Sequence, residues 1–170
     1  MYEIIKIENL KNMVNKYDVS IVINNINTLE KLKDIIETEI VPKMKKEYDF
    51  DELYLGFFED ENLIGYGTTL GYVICSPTGD FTGKYKINSD WSNLKIGYKN
   101  IEHFEEKWNN RLSHKEAIIF KEIRLGFTNE KTEGDIEKEN AVISKVAENH
   151  NISSDEANKI IFKHATHFCK

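Results

Sequence analysis

Between residues 28 and 47 the apolar side chains Leu29, Leu32, Ile36 and Ile40 recur at helical spacing, with Ile35 and Met44 nearby, while Lys31, Lys33, Asp34 and Glu37 fill the other face. A single apolar stripe of this kind has to be buried against another element, because an isolated amphipathic helix leaves it in water. The flanking sequence supplies that element. Tyr2 to Ile7 alternates, Val19 to Ile23 is a short β-branched run, and Leu53 to Phe58 carries aromatic residues that suit a pleated surface. The expectation is a helix capped at Asn27 or Thr28, packed on one face of a small sheet, and kinked or ended early at Pro42.

Further along, Glu59-Asp60-Glu61-Asn62 reads as a polar turn and Leu63 to Ile74 as the returning hairpin strand, closed by a turn at Pro77-Thr78-Gly79-Asp80. Phe81 to Tyr98 mixes aromatics with Gly83, Asn88, Ser89, Asp90, Asn93 and Gly97, which predicts a long loop with one or two short strands. After Asn100 helical spacing takes over. A short helix is expected at His103 to Trp108, and Ser113-His114-Lys115-Glu116 has the form of a capping box ahead of Ala117 to Phe127. Gly126 and Gly134 punctuate the next connection. Ile136, Asn140, Ile143 and Ala147 then fall along one helix, and Ala157, Ile160, Ile161, His164 and Phe168 along another. The fold class that follows is α+β: a small, mostly antiparallel sheet with one packed amphipathic helix in residues 1–100, and a helical C-terminal half in 101–170 that packs on the first part as one compact unit.

Charge and composition narrow the function classes. The 170 residues are 40% apolar and carry a net charge of −6, so an overall basic field for nucleic acid or anionic membrane is lacking. The N-terminal MYEIIKIENLKNMVNKYD has no basic segment followed by an apolar run, and no window offers the roughly 20 apolar residues of a membrane span, so a cytoplasmic protein is expected. Two cysteines, Cys75 and Cys169, are too few for a disulfide scaffold. The sequon Asn151-Ile152-Ser153 is accidental without a secretion signal.

Each chemical motif has a plainer explanation. Gly65-Tyr66-Gly67…Gly71 is spaced G-x-G-x-x-x-G and leads into strand-like sequence, unlike a phosphate loop, so these read as hairpin glycines. His164, His167 and Cys169 are ligand types that suit zinc, yet a fourth ligand is missing nearby and His164 falls on the apolar stripe; no metal and no cofactor is expected. The carboxylates at 59–61 read as a solvated tip. Asp80, Asp90 and His103 flank the long loop without any spacing that makes them converge. The aromatics Phe81, Tyr85, Trp91 and Tyr98 either cover the sheet or form an exposed recognition surface of the residue types that anchor interfaces.

KVAENHNISSDEANKIIFK, residues 145–163, follows helix-turn-helix grammar, with Asn151 where glycine often sits. Its second helix begins Ser154-Asp155-Glu156, which repels phosphate and suits the helix dipole, and Ser153 with Glu156 forms a capping box. A structural helix pair is the preferred reading over DNA recognition, in which Lys159 and Lys163 would meet phosphates.

The order of Tyr2-Glu3-Ile4-Ile5, the helix 28–47, Thr68-Thr69-Leu70-Gly71 leading to Ser76-Pro77-Thr78-Gly79, Lys107-Trp108-Asn109-Asn110-Arg111 and the terminal Val146-Ala147…Asn151-Ile152-Ser153 resembles an uncharacterised family of small bacterial α+β proteins, a domain of unknown function often found behind lipoprotein signals. The resemblance covers nearly the whole chain and implies no established activity. With no nucleophile–base pair, metal quartet or phosphate loop in view, a non-catalytic protein-interaction or regulatory protein is expected rather than an enzyme. Its contact surfaces are then loop 76–98 and the final helices, with Phe81, Tyr85, Trp91, Tyr98, Lys159 and Lys163 as the residues to meet another protein. The alternatives are a nucleic-acid-binding regulator using the helix pair 136–168, and an acidic inhibitor of a nucleic-acid-handling complex encoded by a mobile element.

Overall fold

The computed structural model of the protein describes residues 1–10, 14–83, 86–87, 90–132 and 134–166. Tyr85, Asn88, Ser89, His167, Phe168 and Cys169, which carry some of the expectations above, lie outside the described residues. Contacts along the chain gather into two compact units, Met1–Asn109 and Asn110–Lys170.

The first unit holds a five-stranded sheet in the order β1-β2-β3-β4-β5, formed by β1 (Tyr2–Asn9), β2 (Lys16–Ile23), β3 (Glu52–Phe58), β4 (Tyr72–Ser76) and β5 (Lys95–Lys99). Only β2 and β3 run parallel; the other three pairings are antiparallel. Between β2 and β3 the chain crosses over through α1 (Leu29–Ile35), a π-helical turn (Ile36–Ile40) and α2 (Val41–Glu47). Thr28 caps α1, its hydroxyl accepting from the Lys31 N–H at 3.4 Å. The expected break at Pro42 does not occur. Proline has no N–H for the carbonyl four residues back, and here the turn preceding it widens to π geometry, so the chain stays helical to Glu47.

Leu32, Ile36, Ile40 and Met44 are fully buried against Val19, Ile21, Leu53, Leu55, Phe57 and Val73. The short helix α3 (Phe104–Asn109) adds Phe104 and Trp108 to the same core. A β-bulge between Ile4 and Lys6 sets the register of β1. Strict alternation would point Lys6 to the same face as Tyr2 and Ile4; the extra residue turns Ile7 towards the core instead and sends Lys6 and Glu8 to the second face.

The strand expected from Leu63 to Ile74 begins only at Tyr72. A 3-10 turn (Glu61–Leu63) comes first, capped by the Asp60 carboxylate, which accepts from the Asn62 N–H at 2.9 Å. The segment then turns back through Gly65, Gly67 and Gly71, at φ of 96°, 92° and 105°, which strand geometry does not allow. Thr68-Thr69-Leu70-Gly71 is therefore loop. Nor are the carboxylates at 59–61 simply solvated: Asp60 is buried, and Glu59 accepts a hydrogen bond from the Thr69 hydroxyl.

The second unit consists of α4 (His114–Glu130), α5 (Ile136–Asn149) and α6 (Ser154–Thr166), each in contact with the other two. The capping box at Ser113 is formed, with the Glu116 N–H donating to the Ser113 hydroxyl at 3.3 Å and the Ser113 N–H to Glu116 at 2.7 Å. One expectation fails here, while Ile136, Asn140, Ile143 and Ala147 do lie along one helix. Gly126 lies inside α4 instead of in a connection; an added Cβ would stand 2.5 Å from Val142 Cγ1, so glycine there lets α4 and α5 approach as they do. Ile136 is 71% exposed; the buried stripe of α5 is Val142, Ile143, Val146 and Ala147.

Candidate binding surfaces

The second face of the sheet carries a polar patch beside the buried apolar residues Val22, Phe58 and Ile74. Alternation along β2 puts Asp18 and Ser20 on it, and pairing places Glu8 opposite Asp18, Lys6 opposite Ser20, Tyr54 beside Asp18 and Gly56 beside Ser20. A cavity of about 260 Å³ opens over this patch, roofed on one side by Ile64, Gly65, Gly67 and Thr68 of the loop. Gly56 is what lets that loop approach: a Cβ there would come within 2.8 Å of the Thr68 methyl. Burial, then the charge of Glu8, raises the Asp18 carboxyl above the ordinary carboxylate range against the opposing pull of Lys16 and Lys6. Burial likewise raises the Tyr54 phenol, partly offset by its hydrogen bond with Thr68. Tyr54 stacks on Tyr72 and on Phe81, at centroid distances of 5.0 and 5.7 Å.

Loop 76–98 is stapled to the sheet. The fully buried Glu52 accepts from the Thr82 and Gly83 N–H groups at 2.9 and 2.8 Å, and Asp51 accepts from Asn15 N–H at 2.8 Å and Ile87 N–H at 2.5 Å. Nothing in the sequence around Asp51-Glu52 singles out these two carboxylates as buried. Of the aromatics, Phe81 lies on the second face with the Lys16 ammonium 3.5 Å from its ring centre. Trp91 packs on Phe50 and donates its Nε1–H to the Phe50 carbonyl at 3.3 Å. Tyr98 donates its hydroxyl to Glu37 at 2.6 Å, and burial together with that carboxylate raises its pKa. Trp91 and Tyr98 belong to the edge of the main core, so these rings are not gathered with Phe81 on one face. Asp80, Asp90 and His103 do not converge either: Asp80 pairs with Lys99 at 2.7 Å, Asp90 caps the Trp91–Asn93 turn, and His103 lies 3.9 Å from Glu106.

In the helical unit the turn between α5 and α6 is a Schellman motif. Asn151 takes φ 54°, the Ile152 N–H donates to the Ala147 carbonyl at 3.0 Å, and the Asn151 N–H to Glu148 at 3.1 Å. The capping box at Ser153 and Glu156 is present, and its hydrogen bonds from Ser153 lower the pKa of Glu156. Ala147, Ala157 and Ile160 are buried, Ile152 and Ile161 half-buried, and Asp155 and Glu156 exposed. Lys163 is held by Glu116 at 3.0 Å. Burial works to raise the pKa of Glu116, but Ser113 and Lys163 outweigh it and the carboxyl lies below its usual value. Lys159 is exposed at the rim of a groove of about 280 Å³ floored by Ile119, Ile152 and Ile160. His164 stacks in the core on Phe120, ring centres 3.9 Å apart, and among the described residues no three metal-ligating side chains cluster. No described helix is long and apolar enough to cross a membrane. In comparisons with known proteins, the chain matches no family model, no curated protein and no solved structure.

Proposed function

We propose that the chain is a non-catalytic interaction or regulatory protein whose partner is another protein, met through the helical unit. The observation that carries this reading is Phe162, 70% exposed on α6 of a unit whose charges balance at 10 Lys/Arg against 10 Asp/Glu in residues 110–170. An exposed aromatic on a helix is the kind of anchor that protein interfaces bury, and the groove floored by Ile119, Ile152 and Ile160 is a separate apolar surface of the same helical unit. The proposal includes a reducing, cytoplasmic setting, in keeping with Cys75 as a buried free thiol. The test is a pull-down from the native host with the intact chain beside Phe162→Asp, a change at a site too exposed to unfold α6. A protein retained by the first and lost by the second supports the reading; identical recoveries refute it.

A nucleic-acid-binding role draws support from the three mutually packed helices and the tight turn at Asn151. Against it stand Lys163, already bound to Glu116, and the acidic start of α6. Salt-steep binding of random duplex DNA, lost in Lys159→Ala/Lys163→Ala, would turn the choice.

A further inference from the structure

Beside the turn that joins α4 to α5 lies a cavity of about 600 Å³, lined by Arg124, Phe127, Thr128, Lys131, Thr132 and Glu139. Thr132 is fully buried, and its hydroxyl has no hydrogen-bond partner among the described residues. A hydroxyl in that position is costly to keep, because it has lost water without gaining another partner. The charges around it are uncommitted too. Arg124 and Lys131 are exposed and neither forms an ion pair among the described residues; the Arg124 guanidinium lies 6.0 Å from the centre of the half-buried Phe127 ring. The carbonyls at the end of α4, which would repel an anion, are engaged. That of Phe127 accepts from the Thr132 N–H at 3.1 Å, and that of Thr128 from the Lys131 N–H at 3.4 Å.

We infer that this cavity binds a small organic oxyanion, a carboxylate or phosphate group carried on a flat apolar body. Arg124 and Lys131 supply the countercharge, the Thr132 hydroxyl donates to an oxygen of the anion, and the body lies on the Phe127 ring. A cation would face two positive charges. A metal ion would find Glu139 as its single acidic or imidazole ligand among the described lining residues, too few to hold it. The same glutamate disfavours a second anionic group in the ligand. The site lies within the helical unit and does not depend on the protein partner proposed for that unit.

Amide chemical shifts of the intact chain, followed by NMR at constant ionic strength during titration with benzoate and with phenyl phosphate, test it, with benzamide as the neutral control. The anions shift the amides of Phe127, Lys131 and Thr132 saturably, and benzamide does not. Tighter binding of benzoate points to a carboxylate as the natural ligand, and tighter binding of phenyl phosphate to a phosphate ester. Arg124→Gln/Lys131→Gln weakens binding at least about tenfold, and the exposure of both positions keeps the fold intact. Thr132→Val puts a methyl where the hydroxyl stood and weakens binding about tenfold, the scale of a hydrogen bond to a charged group. It also raises the urea midpoint of the free protein, since an unpartnered hydroxyl is gone. A threonine with only a structural role would leave the affinity alone. Equal shifts with benzamide, no saturable shift with either anion, or unchanged affinity in either variant would overturn the inference.

Discussion

Replacing Gly126 by Ala sets two known quantities against each other. In a helix interior the change gains about 1 kcal/mol, because alanine loses less backbone freedom than glycine on folding. At this position the new Cβ would lie 2.5 Å from Val142 Cγ1, well inside ordinary carbon–carbon contact, while the other two Val142 carbons, at 3.7 Å, would be comfortable. A valine in a helix is held near one rotamer and Val142 is 3% exposed, so the methyl cannot swing aside. Overpacking of this kind costs about 1–3 kcal/mol, and the net expectation is a loss of up to about 2 kcal/mol. The reasoning is sharpest in a double-mutant cycle. Val142→Ala costs stability on its own, but in that background the obstructing methyl is gone and Gly126→Ala becomes stabilising by up to about 1 kcal/mol. Urea unfolding followed by far-UV circular dichroism reads the helices, whereas Trp91 and Trp108 report the sheet unit. A higher midpoint for Gly126→Ala with Val142 intact, or equal effects in both backgrounds, would show that close approach of α4 and α5 is not why glycine stands there.

Ile36→Ala, at a fully buried position facing the sheet, should cost about 2–5 kcal/mol, seen as a lower urea midpoint by Trp fluorescence. Because the Asp18 pKa is raised in the fold, the folded protein holds that proton more tightly than the unfolded chain, and stability falls as pH rises through the interval between the two values. Asp18→Asn should therefore stabilise the protein at neutral pH, by up to about 1 kcal/mol on the scale of cross-strand charge pairs, and lose that advantage once the pH is below the unfolded value; melting curves at several pH values check this. Burial pushes the Cys75 thiol up to about 12, so in a Cys169→Ser background a thiol reagent at neutral pH should label Cys75 only as fast as the protein opens.

The parts of this fold that the sequence announces are those fixed by neighbours a few residues away. The stripe Leu32, Ile36, Ile40 needs only the helical period, and the capping boxes at Ser113 and Ser153 need only a partner three residues on. What escapes sequence reading depends on distant residues. Gly126 looks like punctuation until Val142 is set against it. Nothing marks Asp51 and Glu52 as buried until loop residues about 30 positions on fold back over them. The cavity over Asp18 depends on one bulge, since without the extra residue between Ile4 and Lys6 the side chains of Lys6 and Glu8 would exchange faces with Ile7. The three glycines after Leu63 were legible as turn formers, but reading them inside a strand missed that their positive φ values end it.

Every strand of the sheet lies beside the strand that precedes it in sequence. No strand has to be inserted between two that are already paired, so the sheet can grow in one direction while the chain is being made. Each new strand docks on the most recent edge and is in turn the edge for the next. The slow step in such an order is the β2 to β3 crossover, where the helical segment must settle before the parallel pair closes. Until β3 arrives, Val19, Ile21 and Ile23 present an apolar, unpaired border, and a nascent chain stalled between residues 24 and 51 is the form of this protein most exposed to aggregation.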